Sequence, residues 1–391
     1  MKKVLKSAMA LAMVMSLAAC GSSSSSSSSS EAFKIGCSGP LTGAASIYGK
    51  AVENAANLAV EEINAEGKVN LEFKMEDDEA DAEKSPTAYS NLVDWGMQIG
   101  LGTVTSGAGI AVSQNYQDDE TFAITPSGSN TAVVFKTDDE AYGNVFQMCF
   151  TDPNQGVASA DYMAENFAGK KVAVIYNSAS DYSTTIHQKF VAEAKDKGVD
   201  IVSDKSYADA NDNTVADFSA QVSAAKKAGA EVVFLPIYYT PAAKILAEMK
   251  KQDYTATVFG VDGMDGILTL EDFDTSLAEG VYLLTPFSAD SEDETTSAFV
   301  KAYEEKYGET PNQFAADAYD AIYAIAQALE AGEATADMSN ADLKDLLVEQ
   351  FTSMTFDGVT GKSVTWAETG EVSKNPFAVV IKDGVYVTPE A

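Results

Sequence analysis

The chain has 391 residues, a formal net charge of −33 at pH 7 and 46% hydrophobic residues, so it is long enough to form two lobes with substantial cores. Such an acidic surface repels polyanions, which argues against nucleic acid or anionic lipid as a partner. All 26 basic residues are lysine. Phosphates and dicarboxylates are usually held by the paired donors of arginine, so ligands of those two classes are disfavoured.

The first 19 residues have the layout of an export signal. Three lysines begin the chain, residues 8–17 form an apolar stretch too short to span a bilayer, and two alanines follow. Cys20 then stands at the expected cleavage site in "LAAC", which resembles the lipobox of bacterial lipoproteins. The resemblance implies that the signal peptide 1–19 is removed and that Cys20 is lipidated. The mature chain would then be anchored to the extracytoplasmic face of a cell membrane.

A serine-rich linker follows the cysteine. Residues 22–30 are nine consecutive serines, which bury no apolar surface and behave as a flexible coil with a span of about 17 Å. We interpret residues 20–31 as a lipidated cysteine with a linker that holds a globular part just off the membrane.

Strands and helices alternate from residue 32 onward. "FKIGCSG" is a short apolar run typical of a buried strand, helical spacing follows from Val52 to Ile63, and alternation resumes at Leu71. A first β/α set continues with a helix over 85–95, the strand "IGLGTV", a helix from about Gly109, and the strands "FAITP" and "VFQMCF". Cys37 and Cys149 lie in these predicted strands, and we interpret both as small core residues in preference to a disulfide.

A second set begins near residue 154. Its strands are predicted at "KKVAVIYN", "VDIVSDKSY", "AEVVFLPIY" and "TATVFGVD", and three helices near 293–307, 313–332 and 339–352 precede a β-rich tail. Two doubly wound parallel sheets, an α/β architecture with two lobes, are the expected result.

Polar and aromatic residues follow the strands of both predicted sheets. Ligands of such sheets bind beyond the carboxyl ends of the strands, so these loops are the place to look for a site. The first lobe offers hydroxyls and the second offers aromatic rings with one carboxylate. The candidates are Tyr48, Thr105, Ser106, Ser127 and Ser129 in the first lobe, and Tyr182, Tyr238, Tyr239 and Asp262 in the second.

Taken singly, each candidate also has an ordinary structural explanation. A serine after a strand often caps the next helix, and an aspartate between glycines is often a turn residue. Taken together, hydroxyls on one wall and aromatic rings with a carboxylate on the other predict a closable cleft for a small amphoteric molecule.

Three segments carry a family resemblance. "IGCSGPLTGAASIYG", "ITPSGSN" and "FGVDG", in this order and at these intervals, resemble the leucine/isoleucine/valine-binding protein family of ABC-importer substrate-binding proteins, over nearly all of residues 33–391. The resemblance implies a periplasmic binding protein type I fold with three crossing segments. The first lobe would comprise 32–150 and 286–356, and the second 151–285 and 357–391.

The resemblance also implies roles for individual residues. Ser106 and Ser129 would contact the amino-acid head of the ligand, and Ser127 would contribute backbone beside them. Asp262 would receive the α-ammonium. Aromatic residues would line or close the pocket: Tyr48, Tyr182, Tyr239 and Phe314.

The chain also departs from the pattern of the leucine-type proteins. Asp262 stands where those proteins have glutamate, and "TVTSG" replaces a cysteine–serine sequence at the pocket wall. Ala80 and Thr105 occupy the positions of a first-lobe disulfide. These changes leave ammonium recognition possible but put the identity of the ligand side chain in doubt.

Other functions fit the residues less well. His187 is the only histidine, and its helical context favours a solvent-facing position over a catalytic base. "GVTGKS" lacks the first glycine of a phosphate loop, and the acidic run from Glu76 lacks calcium-loop spacing.

The sequence therefore predicts a monomeric binding protein without enzymatic activity, cofactor or metal, which closes on a neutral amino acid, branched-chain or similarly apolar. Its partners would be ABC permease subunits with cytoplasmic ATPases. The alternatives are a receptor that reports to a membrane sensor, which would use the same closure, and a surface adhesin, which would not respond to a small molecule.

Overall fold

A computed structural model describes residues 31–210 and 214–389, and these residues form one compact unit. The predicted signal peptide, Cys20 and the serine linker lie outside the described residues. Within those described ranges, no helix has both the length and the apolar character needed to cross a membrane.

The described strands form two main sheets and one small hairpin. The first sheet has the order β2-β1-β3-β4-β7, the second has the order β14-β13-β12-β11-β10-β8-β9, and β5 pairs with β6. The strands are β1 Phe33–Gly39, β2 Leu71–Asp77, β3 Ile99–Thr103, β4 Phe122–Thr125, β5 Phe135–Thr137, β6 Glu140–Ala141, β7 Val145–Gln147, β8 Lys171–Asn177, β9 Asp200–Tyr207, β10 Val232–Leu235, β11 Thr257–Gly260, β12 Tyr282–Thr285, β13 Phe377–Lys382 and β14 Val385–Val387.

Ten α-helices in the described part of the chain connect or follow these strands. They are α1 Ser46–Glu66, α2 Ser85–Trp95, α3 Ser106–Asp118, α4 Asp152–Asn166, α5 Asp181–Lys197, α6 Ser219–Ala228, α7 Tyr239–Lys251, α8 Glu294–Tyr307, α9 Gln313–Ala331 and α10 Asn340–Ser353. The helix predicted from about Gly109 begins earlier, at Ser106, because the hydroxyl- and glycine-rich loop continues directly into it.

The first sheet is parallel throughout, as predicted. β1 lies between β2 and β3, with Phe33 opposite Leu71 and Ile35 opposite Ile99. Its central strands are buried apolar runs, which is what a sheet covered on both faces requires. α1 and α9 pack against each other, and both are rich in buried alanines, whose small side chains allow two helices to approach closely.

The second sheet is parallel from β9 to β12, and the tail adds two antiparallel strands at its edge. β13 pairs with β12 and then with β14. The second lobe thus combines a parallel core made by strand–helix alternation with a C-terminal hairpin.

The third crossing between the lobes lies later than the predicted boundary at residue 357. The segment after α10 stays on the first lobe: the Trp366 Nε1–H donates to the Gln147 carbonyl at 2.8 Å, and the Gln147 N–H donates to the Gly370 carbonyl at 2.9 Å. A Cβ at Gly370, where φ is +90°, would lie 2.3 Å from the Val145 carbonyl oxygen, so glycine is needed for this close approach. The chain enters the second sheet only at Phe377.

A buried ion pair marks the end of this segment. Lys374 Nζ donates to Asp317 Oδ1 of α9 at 2.7 Å and to the Thr360 hydroxyl at 2.6 Å, and both charged side chains are about 3% exposed. Breaking one partner of such a pair is strongly destabilising, because the other charge is left buried alone. The pair therefore holds the tail on the first lobe up to the crossing.

Both cysteines in the described ranges are free and buried, which confirms their interpretation as core residues. Cys37 lies in β1 as predicted. Cys149 lies just after β7, where the chain leaves the first sheet. Burial raises the pKa of both thiols, which keeps them in the unreactive protonated form.

Candidate ligand-binding site

A small cavity lies between the two lobes, where the carboxyl ends of strands from both sheets meet. The space between its wall atoms is about 210 Å³, part of which is open to solvent. Its wall consists of hydroxyl-bearing, aromatic and acidic residues, and no lysine of the described ranges lines it. The lining residues are Tyr48, Val104, Thr105, Ser127, Ser129, Tyr182, Tyr238, Asp262, Gly263 and Phe314.

Eight of the ten candidate residues named from the sequence line this cavity, Tyr238 among them. Ser106 and Tyr239 do not, and Val104 and Gly263 are additional lining residues. The structure thus brings most of the candidates together, although direct contact of each with a ligand stays a prediction.

The first-lobe wall carries hydroxyls beside a helix N-terminus. Thr105 is the N-cap residue of α3, yet its hydroxyl makes no capping bond and its buried Oγ1 has no hydrogen-bond partner within the described residues. The Ser127 hydroxyl donates to the Val104 carbonyl at 2.7 Å, and Ser129 is 1% exposed. The first amides of a helix lack intrahelical acceptors and favour an anion, so this wall suits a carboxylate.

Ser106 supports this wall from behind. Its Oγ accepts a hydrogen bond from the Asn130 N–H at 3.1 Å, which ties the loop after β3 to the loop after β4. The Ser106 hydroxyl keeps its own proton to donate while it accepts this bond, and its predicted contact with a ligand stays a prediction.

The second-lobe wall is built around Asp262, directly after β11. Its Oδ1 accepts a hydrogen bond from the Tyr182 hydroxyl at 2.5 Å, and its backbone N–H donates to Gln155 Oε1 at 3.2 Å. The Gly263 N–H donates to the same tyrosine oxygen at 3.0 Å. A Cβ at Gly263 would lie 2.6 Å from that oxygen, so a glycine is needed for the carboxylate and the tyrosine to share this corner.

Burial dominates the electrostatics of Asp262. Loss of solvation raises its pKa to about 6, while the hydrogen bonds from Tyr182 and Gln155 act in the opposite direction. A carboxylate in this environment gains from a cation that enters the cavity, because the cation replaces the lost hydration.

Aromatic rings lie between the two walls and line the cavity. The ring centroid of Tyr48 lies 4.2 Å from that of Phe314, 5.4 Å from that of Tyr238 and 4.9 Å from that of Tyr239. The Tyr48 hydroxyl donates to the Gly263 carbonyl across the cleft. These rings would surround an apolar side chain of a ligand.

The two adjacent tyrosines after β10 have different positions. Tyr238 lines the cavity, and its ring centroid lies 4.8 Å from that of Tyr182. Tyr239 begins α7 and turns toward α1, where its hydroxyl accepts a hydrogen bond from the Ile47 N–H at 3.2 Å. Tyr239 therefore connects the two lobes, whereas Tyr238 forms part of the cavity wall.

Further hydrogen bonds cross between the lobes around the cavity. The Thr240 hydroxyl donates to the Ala44 carbonyl at 2.9 Å, and Asn130 Nδ2 donates to the Thr185 hydroxyl at 3.0 Å. Direct hydrogen bonds thus hold the described lobes together around the cavity.

His187 lies outside this site. Its ring stacks on that of Tyr176, and its Nε2 lies 2.9 Å from Asp204 Oδ2. Its side chain is only 14% exposed, so the expected solvent-facing position is wrong: ring stacking covers it. Within residues 31–210 and 214–389, no cluster of three or more His, Cys, Asp or Glu could hold a metal ion.

Two lobes with a closed polar cleft at the strand ends define a ligand-binding protein of the periplasmic binding protein type I fold. The family model of periplasmic binding proteins matches residues 32–385. The chain belongs to the periplasmic binding protein family.

Individual relatives extend this comparison. The leucine-, isoleucine-, valine-, threonine- and alanine-binding protein of Pseudomonas aeruginosa is 26% identical over 353 residues, 89% of each chain. The branched-chain amino acid binding protein LivJ of Streptococcus pneumoniae, solved with isoleucine, has a TM-score of 0.80 at 26% identity and covers 92% of this chain and 100% of its own.

A more distant structure has the same fold with another kind of ligand. A solute-binding protein from R. palustris, solved with benzoate, has a TM-score of 0.78 at 19% identity and covers 91% of this chain and 95% of its own. This identity supports the fold alone, and the fold itself leaves the ligand open.

Proposed function

We propose that this chain is the substrate-binding component of an ABC importer for a neutral amino acid with a branched-chain or similarly apolar side chain. The protein binds its ligand between the lobes and presents the closed form to permease subunits, and it performs no chemistry. The names and bound ligand of the 26%-identical relatives support this ligand class.

The observation that carries the proposal is the polarity of the cavity. Asp262 on one wall suits an ammonium group, while the Thr105 hydroxyl and the start of α3 on the other suit a carboxylate. The rings of Tyr48 and Phe314 lie beside both of these polar walls. A free α-amino acid has this combination of groups, whereas a sugar lacks the charges and a dicarboxylate lacks the cation.

A thermal-shift screen of residues 31–391 tests the ligand class. A ligand at a hundredfold excess over its dissociation constant adds about 2.7 kcal/mol to stability, and each kcal/mol raises the midpoint of a protein of this size by about 2–4 °C. Branched-chain amino acids, threonine and alanine should raise the midpoint by several degrees. A panel in which only phosphates, dicarboxylates or sugars shift the midpoint contradicts the proposal.

Lipid anchoring at Cys20 is the second part of the proposal, supported by "LAAC" and the serine linker that follows. Acyl chains contribute about 0.8 kcal/mol per buried CH₂, so a multiply acylated cysteine holds a protein on a membrane. Cys20→Ser should move the protein from the membrane fraction to the soluble fraction. A variant that stays membrane-bound after a high-salt wash overturns this part.

The partner is tested separately from the ligand. An importer requires permeases and ATPases, so crosslinking of the closed, amino-acid-bound protein should recover permease subunits. Recovery of a membrane sensor instead would support the alternative in which the same closure is a signal.

A further inference from the structure

A second, wider cavity lies between the lobes beside the one that contains Asp262. We call it the outer cavity, and the cavity at Asp262 the inner cavity. The space between the wall atoms of the outer cavity is about 1130 Å³, part of which is open to solvent. Thr105 and Tyr238 line both cavities. The two spaces therefore adjoin at this threonine and this tyrosine.

The lining of the outer cavity is acidic. Glu79, Asp81 and Glu83 contribute to it from the loop between β2 and α2, and Asp181 contributes from the first position of α5. No lysine of the described residues lines it. Lys84 forms an ion pair with Glu79 at 2.6 Å. Among the described residues, the three aspartate and glutamate side chains that remain form no ion pair, so the cavity keeps an excess of negative charge.

Thr105 provides an independent sign that a polar ligand group reaches the boundary of the two cavities. The residue is only 4% exposed, and its Oγ1 has no hydrogen-bond partner within the described residues. A buried hydroxyl without a partner is costly, so a ligand that supplies one is favoured. An amino-acid head bound at this hydroxyl has its side chain close to the passage between the cavities.

Tyr238 gives this passage an apolar side. Its ring centroid lies 4.8 Å from that of Tyr182 and 5.4 Å from that of Tyr48. A chain of methylene groups packs well along such rings, while a charged group at its end remains in water. The passage thus suits a long, unbranched side chain better than a short one, which would end before it.

The charge of the outer cavity decides which end group such a side chain can have. An ammonium group inside the inner cavity would lose its hydration, whereas in the outer cavity it keeps water and lies among carboxylates. A carboxylate at the same place would be repelled. The outer cavity therefore favours a cationic end group over an anionic one.

We propose that the cleft also binds amino acids with a long side chain that passes Thr105 and Tyr238 and ends in a cationic group. Asp81, Glu83 and Asp181 form the subsite for that group, and L-lysine and L-ornithine belong to this ligand class. The inference rests on the proposed function, because the α-ammonium and α-carboxylate groups are bound as proposed there. It extends the ligand range from apolar to basic amino acids.

Isothermal titration calorimetry with matched ligands tests the inference. L-norleucine and L-lysine have the same carbon skeleton, but only L-lysine has an ammonium group at its end. At low ionic strength the protein should bind L-lysine at least as tightly as L-norleucine, and salt should weaken L-lysine binding more. Nε-acetyl-L-lysine, which is long but lacks the charge, should bind more weakly than L-lysine.

A triple variant tests the acidic subsite. Asp81→Asn, Glu83→Gln and Asp181→Asn together remove three negative charges and keep an acceptor oxygen in each side chain. Since an exposed ion pair contributes up to a few-fold in affinity, the triple variant should weaken L-lysine binding by about tenfold. Its affinity for L-norleucine should stay within twofold of the parent, which also shows that the fold is intact.

A second triple variant is the control for overall charge. Asp138→Asn, Asp139→Asn and Glu349→Gln remove the same number of charges at exposed positions that line neither cavity. This variant should bind both ligands as the parent does. Equal weakening of L-lysine binding by the two triple variants would assign the effect to the net charge of the protein and overturn the inference.

The remaining outcomes separate the inference from the proposed function. A parent that binds L-norleucine but binds L-lysine at least a hundredfold more weakly overturns the inference and leaves the proposed function standing. Equal affinity for L-lysine and Nε-acetyl-L-lysine also overturns it, because length alone would then decide. Binding of L-lysine without any apolar amino acid supports the acidic subsite and contradicts the neutral ligand class of the proposed function. Binding of neither ligand contradicts both.

Discussion

The two walls of the cleft differ in charge although both are formed by loops after parallel strands. The first-lobe wall is neutral, with hydroxyls and the amide end of α3. The second-lobe wall carries Asp262. A zwitterion has one group for each wall, so it stabilises the closed form in which both walls reach it. A ligand with a single charge satisfies only one wall.

Removing the acidic wall should have the largest effect. Asp262→Ala takes away the buried partner of the ligand ammonium, which costs about 3–5 kcal/mol, or at least about a hundredfold in affinity. Calorimetry with the amino acid identified in the screen should detect no binding, while the ligand-free protein melts almost unchanged. Binding within threefold of the parent would make Asp262 a turn residue only.

Weakening the neutral wall should have a smaller effect. Thr105→Val keeps the shape and removes a hydroxyl that has no other partner, and the loss of one hydrogen bond to a ligand carboxylate corresponds to about tenfold in affinity. Thr103→Val is the matched control, because the Thr103 Oγ1 is also buried without a partner in the described structure but does not line the cavity. If both variants lowered the affinity equally, the assignment of the first-lobe wall to the ligand carboxylate would be wrong.

Lowering the pH should weaken amino-acid binding at Asp262 without any mutation. The raised pKa of Asp262, about 6, means that the carboxylate is ionised at pH 7 and protonated at pH 5. Affinity for the amino acid should therefore fall by about tenfold between pH 7 and pH 5, since the ammonium prefers the charged form. Asp262→Asn should abolish this dependence.

Stability of the ligand-free protein should change with pH in the opposite direction. Burial also raises the pKa of Asp78 to about 6. A carboxyl whose folded pKa is raised costs stability above its unfolded pKa, so the ligand-free melting midpoint should rise as pH falls from 7 to 5. A midpoint that falls together with affinity would show that the weaker binding reflects unfolding.

The smallest effect on affinity is expected from the loss of a single hydrogen bond between the two walls of the cleft. Tyr48→Phe removes the hydroxyl that donates to the Gly263 carbonyl across the cleft. One neutral hydrogen bond is worth about 1 kcal/mol within a range of about 0.5–1.5 kcal/mol, so affinity should fall by about fivefold, within a range of about two- to twelvefold. Tyr89→Phe, which removes a hydroxyl bonded to Asp119 away from the cavity, should leave binding unchanged.

The sequence was sufficient to predict most of the residues that line the cavity, because strand–helix alternation places loops at one sheet edge. This rule led to Thr105, Ser127 and Asp262. It could not distinguish Tyr238 from Tyr239, since one residue of difference at the start of α7 decides which ring faces the cavity. It also missed Gln155, which lies in the first turn of α4 and does not follow a strand, so only packing reveals its hydrogen bond with the Asp262 N–H.

The tail boundary was missed for a related reason. Residues 357–376 contain no long strand or helix with a readable periodicity, and only their bonds to Gln147 and Asp317 show which lobe they join. By contrast, helices such as α2 and α9 have caps and apolar spacing that set their ends locally.

The attachment of Trp366 and Gly370 to β7 also has a consequence for solubility. β7 is the last strand of the first sheet, and an uncovered edge strand offers its free amides and carbonyls to the edge of another molecule. The tail occupies these groups at Gln147 and covers the strand with an irregular segment that cannot itself extend the sheet. A chain that ends before Trp366 would keep the residues that line the cavity, yet it would expose this edge and, with β13 and β14 removed, the edge of β12 as well, so we expect it to aggregate.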